Sequence, residues 1–494
     1  FVIPTGSMAP TLLGAHMRLR CEDCGYEYDV NFNSSGSGEG DEIRIDDHFK
    51  GTLVATCPNC ANRVTRNNPP VFYGDRILVL KYLYLFQQPQ RWDVVVFKSP
   101  DRPDKHDYSQ NYIKRLVGKP GEALMLLDGD LYAAQGAGGR PLDDLRPEDF
   151  LIQTKPVSVR EALLRLVYHN DYQPTRRRAM NAHPFRQPWT PVERADAWKL
   201  EGEGTRDGRV FLCDAPVDKP AALAFDRTAN PDAHYLTDWL GYNATGPQGR
   251  RAWVNDLELD LFYERLSGDG PLRLALSKLG RTFTVELTPT HVQLLSRQGN
   301  APAQPVGEPV ILPRGGNGPL HVEFSNIDYQ VCVRVDGQEL IRTTPEQYRP
   351  DLRALLNDDG PVQSQPPGVR IEAAGQKCAL RHLSLWRDTY YTSDDTTLGR
   401  ALRGSGRGFP AHVARLGPDE YFVLGDNSLI SGDARYWQDP IDLRRYEDLE
   451  APAGTVPGRF LLGRAFFVYW PAGYQPVNGA PAIVPSFGKM RFIH

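Results

Sequence analysis

Four stretches in the second half of the chain alternate apolar and polar residues: "AWVNDLELDLFYERL", "GPLRLALSKLGRTFTVELTPTHVQLLSR", "PLHVEFSNIDYQVCVRVDGQELIR" and "GVRIEAAGQKCALRHLSLWRD". A period of two gives each extended segment one apolar face, which only a packed sheet can bury. Gly, Asn and Asp break the runs at the spacing of antiparallel turns, so residues 186–391 are expected to form a β-sandwich. The 41 prolines and 45 glycines fit short strands and many turns. The expected fold class is mainly β.

Outside that region, "GDRILVLKYLY" (74–84), "WDVVVFKSP" (92–100) and "NYIKRLVGKPGE" (111–122) read as strands, and the Asp-Gly of "ALMLLDGDLYA" as a hairpin turn. Residues 140–185 read as a basic, irregular connecting segment with one helical candidate, "SVREALLRLVYH". The stretch 392–404 reads as a linker. Residues 1–17, 74–139 and 405–494 then form a discontinuous all-β core into which the rest is inserted.

Residues 18–73 read as a small insert. Cys21/Cys24 and Cys57/Cys60 form two CxxC knuckles with 32 residues between them. Four thiolates so placed can hold one tetrahedral structural zinc, as in a ribbon; the alternative is a pair of disulfides. The intervening "NFNSSGSGEGDE" is too polar to pack and reads as a loop. Cys213, Cys332 and Cys378 lie far apart and read as small buried hydrophobes.

The net charge of -4, with both signs mixed, gives no argument for a nucleic-acid partner. No run of 18 apolar residues occurs, and the first residue is Phe1. A membrane anchor is therefore expected only upstream of Phe1.

The stretch "IPTGSMAPTLLG" (3–14) poses the chemical question. Ser7 after a glycine is either a turn residue or a nucleophile, and a nucleophile needs a base and oxyanion donors. The histidines sit in ordinary contexts, and His106 reads as a loop residue. In "NYIKRLVG", alternation places Tyr112, Lys114 and Leu116 on one face and Ile113, Arg115 and Val117 on the other. Lys114 is either an edge lysine whose head reaches water or a buried amine whose lowered pKa allows it to act as a base.

In chain order, "IPTGSMAPTLLGA", "GDRILVLKYLY", "RWDVVVFKSP", "NYIKRLVGKPGE" and "YFVLGDNSLISGDARYW" resemble the signature boxes of type I signal peptidases. These are membrane-bound serine proteases with a Ser-Lys dyad. The resemblance covers residues 1–14, 74–122 and 418–470; the two inserts have no counterpart in the family's common core. It implies Ser7 as nucleophile, Lys114 as general base, and the Ser7 N–H with the Thr5 hydroxyl as oxyanion hole. Gly6 would let an extended substrate pass close to the chain. Ser431 would orient the Lys114 amine, supported by an Asp433–Arg435 ion pair. Pro4, Met8, Leu12, Tyr112 and Ile113 would line shallow pockets for small residues of an added substrate strand; the alternative is plain core packing, and the two roles are compatible. Here "SLI" (428–430) and Ala434 depart from the family pattern.

The resemblance implies cleavage of signal peptides after Ala-x-Ala, without a catalytic cofactor, on the outer face of the cytoplasmic membrane. The aromatic run "YLYLF" (82–86), unusually aromatic for a strand end, reads either as part of an apolar edge facing the bilayer surface or as core. The sandwich resembles concanavalin/laminin-G-like jelly rolls, which suggests a glycan or protein ligand. A self-cleaving repressor would need a DNA-binding module, and none is legible. The remaining alternative is a catalytically inactive scaffold whose sandwich binds that ligand.

Overall fold

The computed structural model describes residues 1–32, 49–100, 110–174, 184–202, 208–244, 252–313, 318–357, 365–391, 406–442, 450–471 and 486–494. The loop read within 33–42, His106 and the linker 392–404 lie outside them.

The fold is mainly β. In the first insert, β1 (His16–Arg20) pairs with β2 (Glu27–Asn31), and β3 (Thr52–Thr56) with β4 (Arg63–Asn67), both antiparallel. Each hairpin turns through one CxxC. In each, the residue after the second cysteine takes positive φ, Gly25 at 80° and Ala61 at 61°, and its N–H returns to the first cysteine's C=O. His16 exchanges backbone hydrogen bonds with Phe72, closing the neck of the insert.

The sheet that carries the candidate site contains β5 (Arg76–Leu80), β6 (Val94–Lys98) and β7 (Asn111–Gly118). It is completed by Glu420–Leu424, Val456–Pro457, Leu461–Trp470 and Arg491–Phe492. β7 lies between β6 and Glu420–Leu424, so segments more than 300 positions apart meet at its centre. The hairpin of β8 (Ala123–Leu127) and β9 (Asp130–Ala134) turns at Asp128 and Gly129, both at positive φ, as the Asp-Gly signal requires.

Two sheets face each other over the large insert. Their core is built by alternation: Leu272, Leu274 and Leu276 point inward with Phe283, Val285 and Leu287, against Leu259, Leu261 and Phe324. The connecting segment is more ordered than its composition suggests. α1 (Val157–Leu163) stops halfway along the helical candidate, and Arg165–His169 becomes a strand on Gln376–Arg387. A long neighbouring strand with open hydrogen-bond groups outcompetes helix propensity there.

Buried charges join the two facing sheets to β9 and to the segment before α1. Lys278 continues the inward face of its strand; its ammonium pairs with Asp256 and lies 3.0 Å from Asp130 of β9. Lys155 pairs with Asp328 and, at 2.7 Å, with Asp388. Such buried pairs add little net stability over apolar packing, but removing one partner is costly.

The "YLYLF" run corrects its reading: it is a 3-10 turn, Leu83–Leu85, not a strand end. Tyr82, Leu85 and Phe86 are exposed, as are Leu78 and Leu80 of β5 and Phe492. Among the described residues no helix is long and apolar enough to cross a membrane.

Candidate active site

Gly6–Met8 forms a single buried 3-10 turn that packs against β7. Its position follows from apolar neighbours on both sides. Ile3, Met8 and Leu12 enter one cluster with Ile113 of β7 and Val94 and Val96 of β6. Backbone bonds from Ile3 to Asp75 and from Ile77 to Phe1 tie the segment to β5.

The turn brings Ser7 onto β7. Lys114 Nζ lies 2.9 Å from Ser7 Oγ and 3.2 Å from the Ile113 carbonyl, and both side chains are buried, 5% and 8% exposed. The lysine head is thus turned inward, away from bulk water. It stands 5.6 Å from the centre of the Tyr112 ring, as shared facing requires. Thr5, exposed, has Oγ1 3.5 Å from Ser7 Oγ.

The wall behind β7 is a fully buried charge lattice. Asp433 receives Arg435 Nε and Nη2 at 2.8 Å each, while Arg435 Nη1 donates to Ser428 Oγ at 2.8 Å. Arg115, beside Lys114, makes a second bidentate pair with Asp426 at 2.7 and 2.8 Å. Burial alone would lower the Arg115 pKa, but Asp426 more than offsets it and holds the guanidinium above its ordinary range. Alternation alone places Arg115 on a strand face and assigns it no role. Its only signal was the Asp in Gly-Asp-Asn-Ser.

The resting geometry differs from the expected roles at three places. Ser431 is buried beside the turn: a Cβ on Gly425 would lie 2.1 Å from Ser431 Oγ and 2.5 Å from the Ser7 carbonyl. Yet Ser431 Oγ makes no hydrogen bond, so the bond to Lys114 is not formed. Met8 and Leu12 are wholly buried, and Ile113 almost so, because their own sheet consumes the apolar surface. Of the proposed pocket residues only exposed Pro4 and half-buried Tyr112 have surface for a ligand. The close approach at Gly6 is taken by the protein itself, since a Cβ there would lie 2.6 Å from the Tyr242 ring and 2.9 Å from Asn31 Oδ1.

The four knuckle thiols converge within 4.8 Å of one another, all buried and none in a disulfide. Sγ of Cys21 lies 3.7 Å from that of Cys60, and Cys24 the same distance from Cys57. A disulfide would need about 2.05 Å, whereas a tetrahedron with Zn–S of about 2.3 Å has edges of about 3.8 Å. The donor set is compatible with a structural metal. Carboxylates of Asp130, Asp256 and Asp328 also converge, but among them stand the Lys155 and Lys278 ammonium groups.

Residues 53–178 and 370–470 match the family model described as signal peptidase, peptidase S26. The match contains Lys114, Asp433 and Arg435 but begins beyond Ser7. The chain is similar to a probable thylakoidal processing peptidase 2 of Arabidopsis thaliana, 32% identical over 87 residues, or 17% of this chain and 22% of the relative. It is also similar to signal peptidase I of Rickettsia massiliae, 38% identical over 66 residues, or 13% and 23% of the two chains. A probable signal peptidase I-1 of Synechocystis is 33% identical, covering 15% of this chain and 38% of the relative. The chain thus spans well under half the length of these relatives. Among solved structures, carbohydrate binding module CBM66 from Bacillus subtilis overlaps 40% of this chain and 95% of its own, at 10% identity and a TM-score of 0.25.

Proposed function

We propose that this chain is a type I signal peptidase, a serine endopeptidase that removes signal peptides from exported preproteins after small residues, with Ser7 as nucleophile and Lys114 as general base. The observation that carries this reading is the 2.9 Å contact between Ser7 Oγ and Lys114 Nζ in a buried setting. A serine hydroxyl is a weak nucleophile until a neighbour takes its proton. Burial in apolar surroundings disfavours an ammonium relative to a neutral amine, which is the form that can take it.

In the reaction, Ser7 Oγ attacks the scissile carbonyl carbon while its proton passes to Nζ. The Ser7 N–H and Thr5 hydroxyl hold the resulting oxyanion. The C–N bond then breaks, Nζ returns its proton to the leaving amine, and Ser7 carries the acyl ester. Water, losing a proton to Lys114 Nζ, then attacks the ester carbonyl; the ester C–O bond breaks and Nζ returns that proton to Ser7 Oγ. No cofactor enters these steps. Exposed Pro4 and half-buried Tyr112 flank the dyad and meet the extended substrate. The apolar patch of Tyr82, Leu85 and Phe86 rests on the membrane on the outer face. The four cysteines hold a structural zinc, and the sandwich remains available for a glycan or protein ligand.

The test is incubation with a preprotein whose signal ends in Ala-x-Ala, comparing the parent with Ser7→Ala and Lys114→Ala. Cleavage that either substitution abolishes is the expected result. No cleavage by the folded parent overturns the reading and leaves the inactive scaffold; equal cleavage by all three removes the dyad.

A further inference from the structure

The 3-10 turn Gly241–Asn243, contributed by the sandwich insert, lies against the Ser7 turn. Tyr242 packs on Gly6 and shares a small apolar cluster with Ala9 and Leu13. The next residue, Asn243, is buried and exchanges two hydrogen bonds with buried Asn427. Asn243 Nδ2 donates to Asn427 Oδ1 at 2.9 Å, and Asn427 Nδ2 donates to Asn243 Oδ1 at 2.8 Å. Asn427 in turn grips both carbonyls of the nucleophile turn. Its Nδ2 donates to the Gly6 C=O at 3.1 Å, and its backbone N–H to the Ser7 C=O at 3.0 Å.

A side-chain amide has one donor end and one acceptor end. The Gly6 carbonyl accepts only a donor, and the reciprocal pair with Asn243 is kept together with that bond in one arrangement of the two amides, with the Asn427 NH2 toward the Gly6 oxygen. Turned over, it would set oxygen against oxygen in a site without bulk water to relieve it. The Gly6–Ser7 peptide is trans. In a planar trans unit the carbonyl and the following N–H point in opposite directions. The two donors on the Gly6 carbonyl, the Ala9 N–H at 3.0 Å within the turn and Asn427 Nδ2 from outside it, therefore together aim the Ser7 N–H.

Resting on the peptidase reading above, we infer that Asn243 is a positioning residue for the oxyanion donor. Through Asn427 it fixes the plane of the Gly6–Ser7 peptide, so the catalytic competence of the core depends on the inserted sandwich. Asn243 touches no reacting atom; it acts by orienting a group that does. Donor geometry at the oxyanion governs kcat more than substrate affinity.

The test uses the full chain with the Ala-x-Ala preprotein and a peptide aldehyde ending in alanine, whose adduct with Ser7 places an oxygen at the oxyanion position. Variants are Asn243→Ala, the isosteric Asn243→Asp, Asn427→Ala and the Asn243→Ala/Asn427→Ala pair. Both Asn243 variants are expected to lower kcat about 10- to 100-fold with KM within about twofold, and to weaken aldehyde inhibition by a similar factor. The double variant should be no worse than Asn427→Ala, since both act through one path. Unchanged kcat and aldehyde inhibition in Asn243→Ala, or multiplicative losses in the pair, overturn the inference. So does a loss of activity that tracks loss of thermal stability in both Asn243 variants. If the parent cleaves nothing, or Ser7→Ala cleaves as well as the parent, it is the peptidase reading that fails; if those controls behave and the Asn243 variants match the parent, only the clamp fails.

Discussion

Lys114 Nζ and Ser7 Oγ lie 2.9 Å apart although 107 positions separate them in the chain. Neither residue reaches the other through its own strand or turn. The contact exists because Met8 and Ile113, their chain neighbours, are buried in one apolar cluster. Ile113→Ala, which opens a cavity there, should cost about 2–5 kcal/mol and also lower cleavage. Urea denaturation and a cleavage assay read the two effects. Normal stability with normal activity would detach the dyad from its packing.

Lys114→Arg should be as inactive as Lys114→Ala. A guanidinium stays protonated and accepts no proton from Ser7. The expected loss in kcat is about 10³-fold or more, measured on the preprotein. Ser431→Ala should lose far less, no more than about tenfold, since Ser431 Oγ holds no bond to the amine. Equal losses in the two variants would restore to Ser431 the orienting role that the resting geometry denies it.

Arg115 and Asp426 are both wholly buried, so breaking the pair leaves an uncompensated charge. Asp426→Asn should destabilise the chain by about 3–5 kcal/mol. Arg115→Lys should also be poorly tolerated, because a lysine offers a point charge where a bidentate fork is needed. Chemical denaturation of both variants checks this, and a shift below about 1 kcal/mol would count against it.

Zinc analysis of the purified chain should give one ion per molecule, with or without reductant. Cys57→Ser should lose it and expose the amides of residues 16–31 and 52–67 to hydrogen exchange. Because Asn31 of β2 abuts Gly6, cleavage should fall as well. Zinc near zero under both conditions removes the ribbon reading.

Burial pushes the Asp128 carboxyl up to about 7; Lys278 opposes the shift and Asp256 adds to it. A carboxyl whose pKa rises on folding contributes fully while protonated, below about pH 4, and its contribution is lost as pH climbs through about 7. Asn also suits the positive φ at this turn. Asp128→Asn should therefore match the parent near pH 4 and exceed it by about 1–3 kcal/mol at pH 8. Urea midpoints at the two pH values decide it. A variant no more stable than the parent at pH 8 would mean that the carboxylate is well solvated.

The mainly β class, the knuckle turns and the Asp-Gly hairpin were legible in sequence because each is local. Alternation, CxxC spacing and turn chemistry act over a few residues, and the resemblance in ordered motifs pointed to Ser7 and Lys114. What tertiary structure alone decided was which surfaces are already spent. Met8 and Leu12 read in sequence as either pocket lining or core, and their own sheet buries them. The helical candidate at 158–169 lost its second half to a strand edge supplied from residues 376–387. Asn243 carried no signal at all, since an asparagine in a turn is ordinary, and its partner lies 184 positions away. Short-range patterns record what one segment prefers; hydrogen bonds and packing between distant segments depend on three-dimensional proximity, which no local pattern encodes.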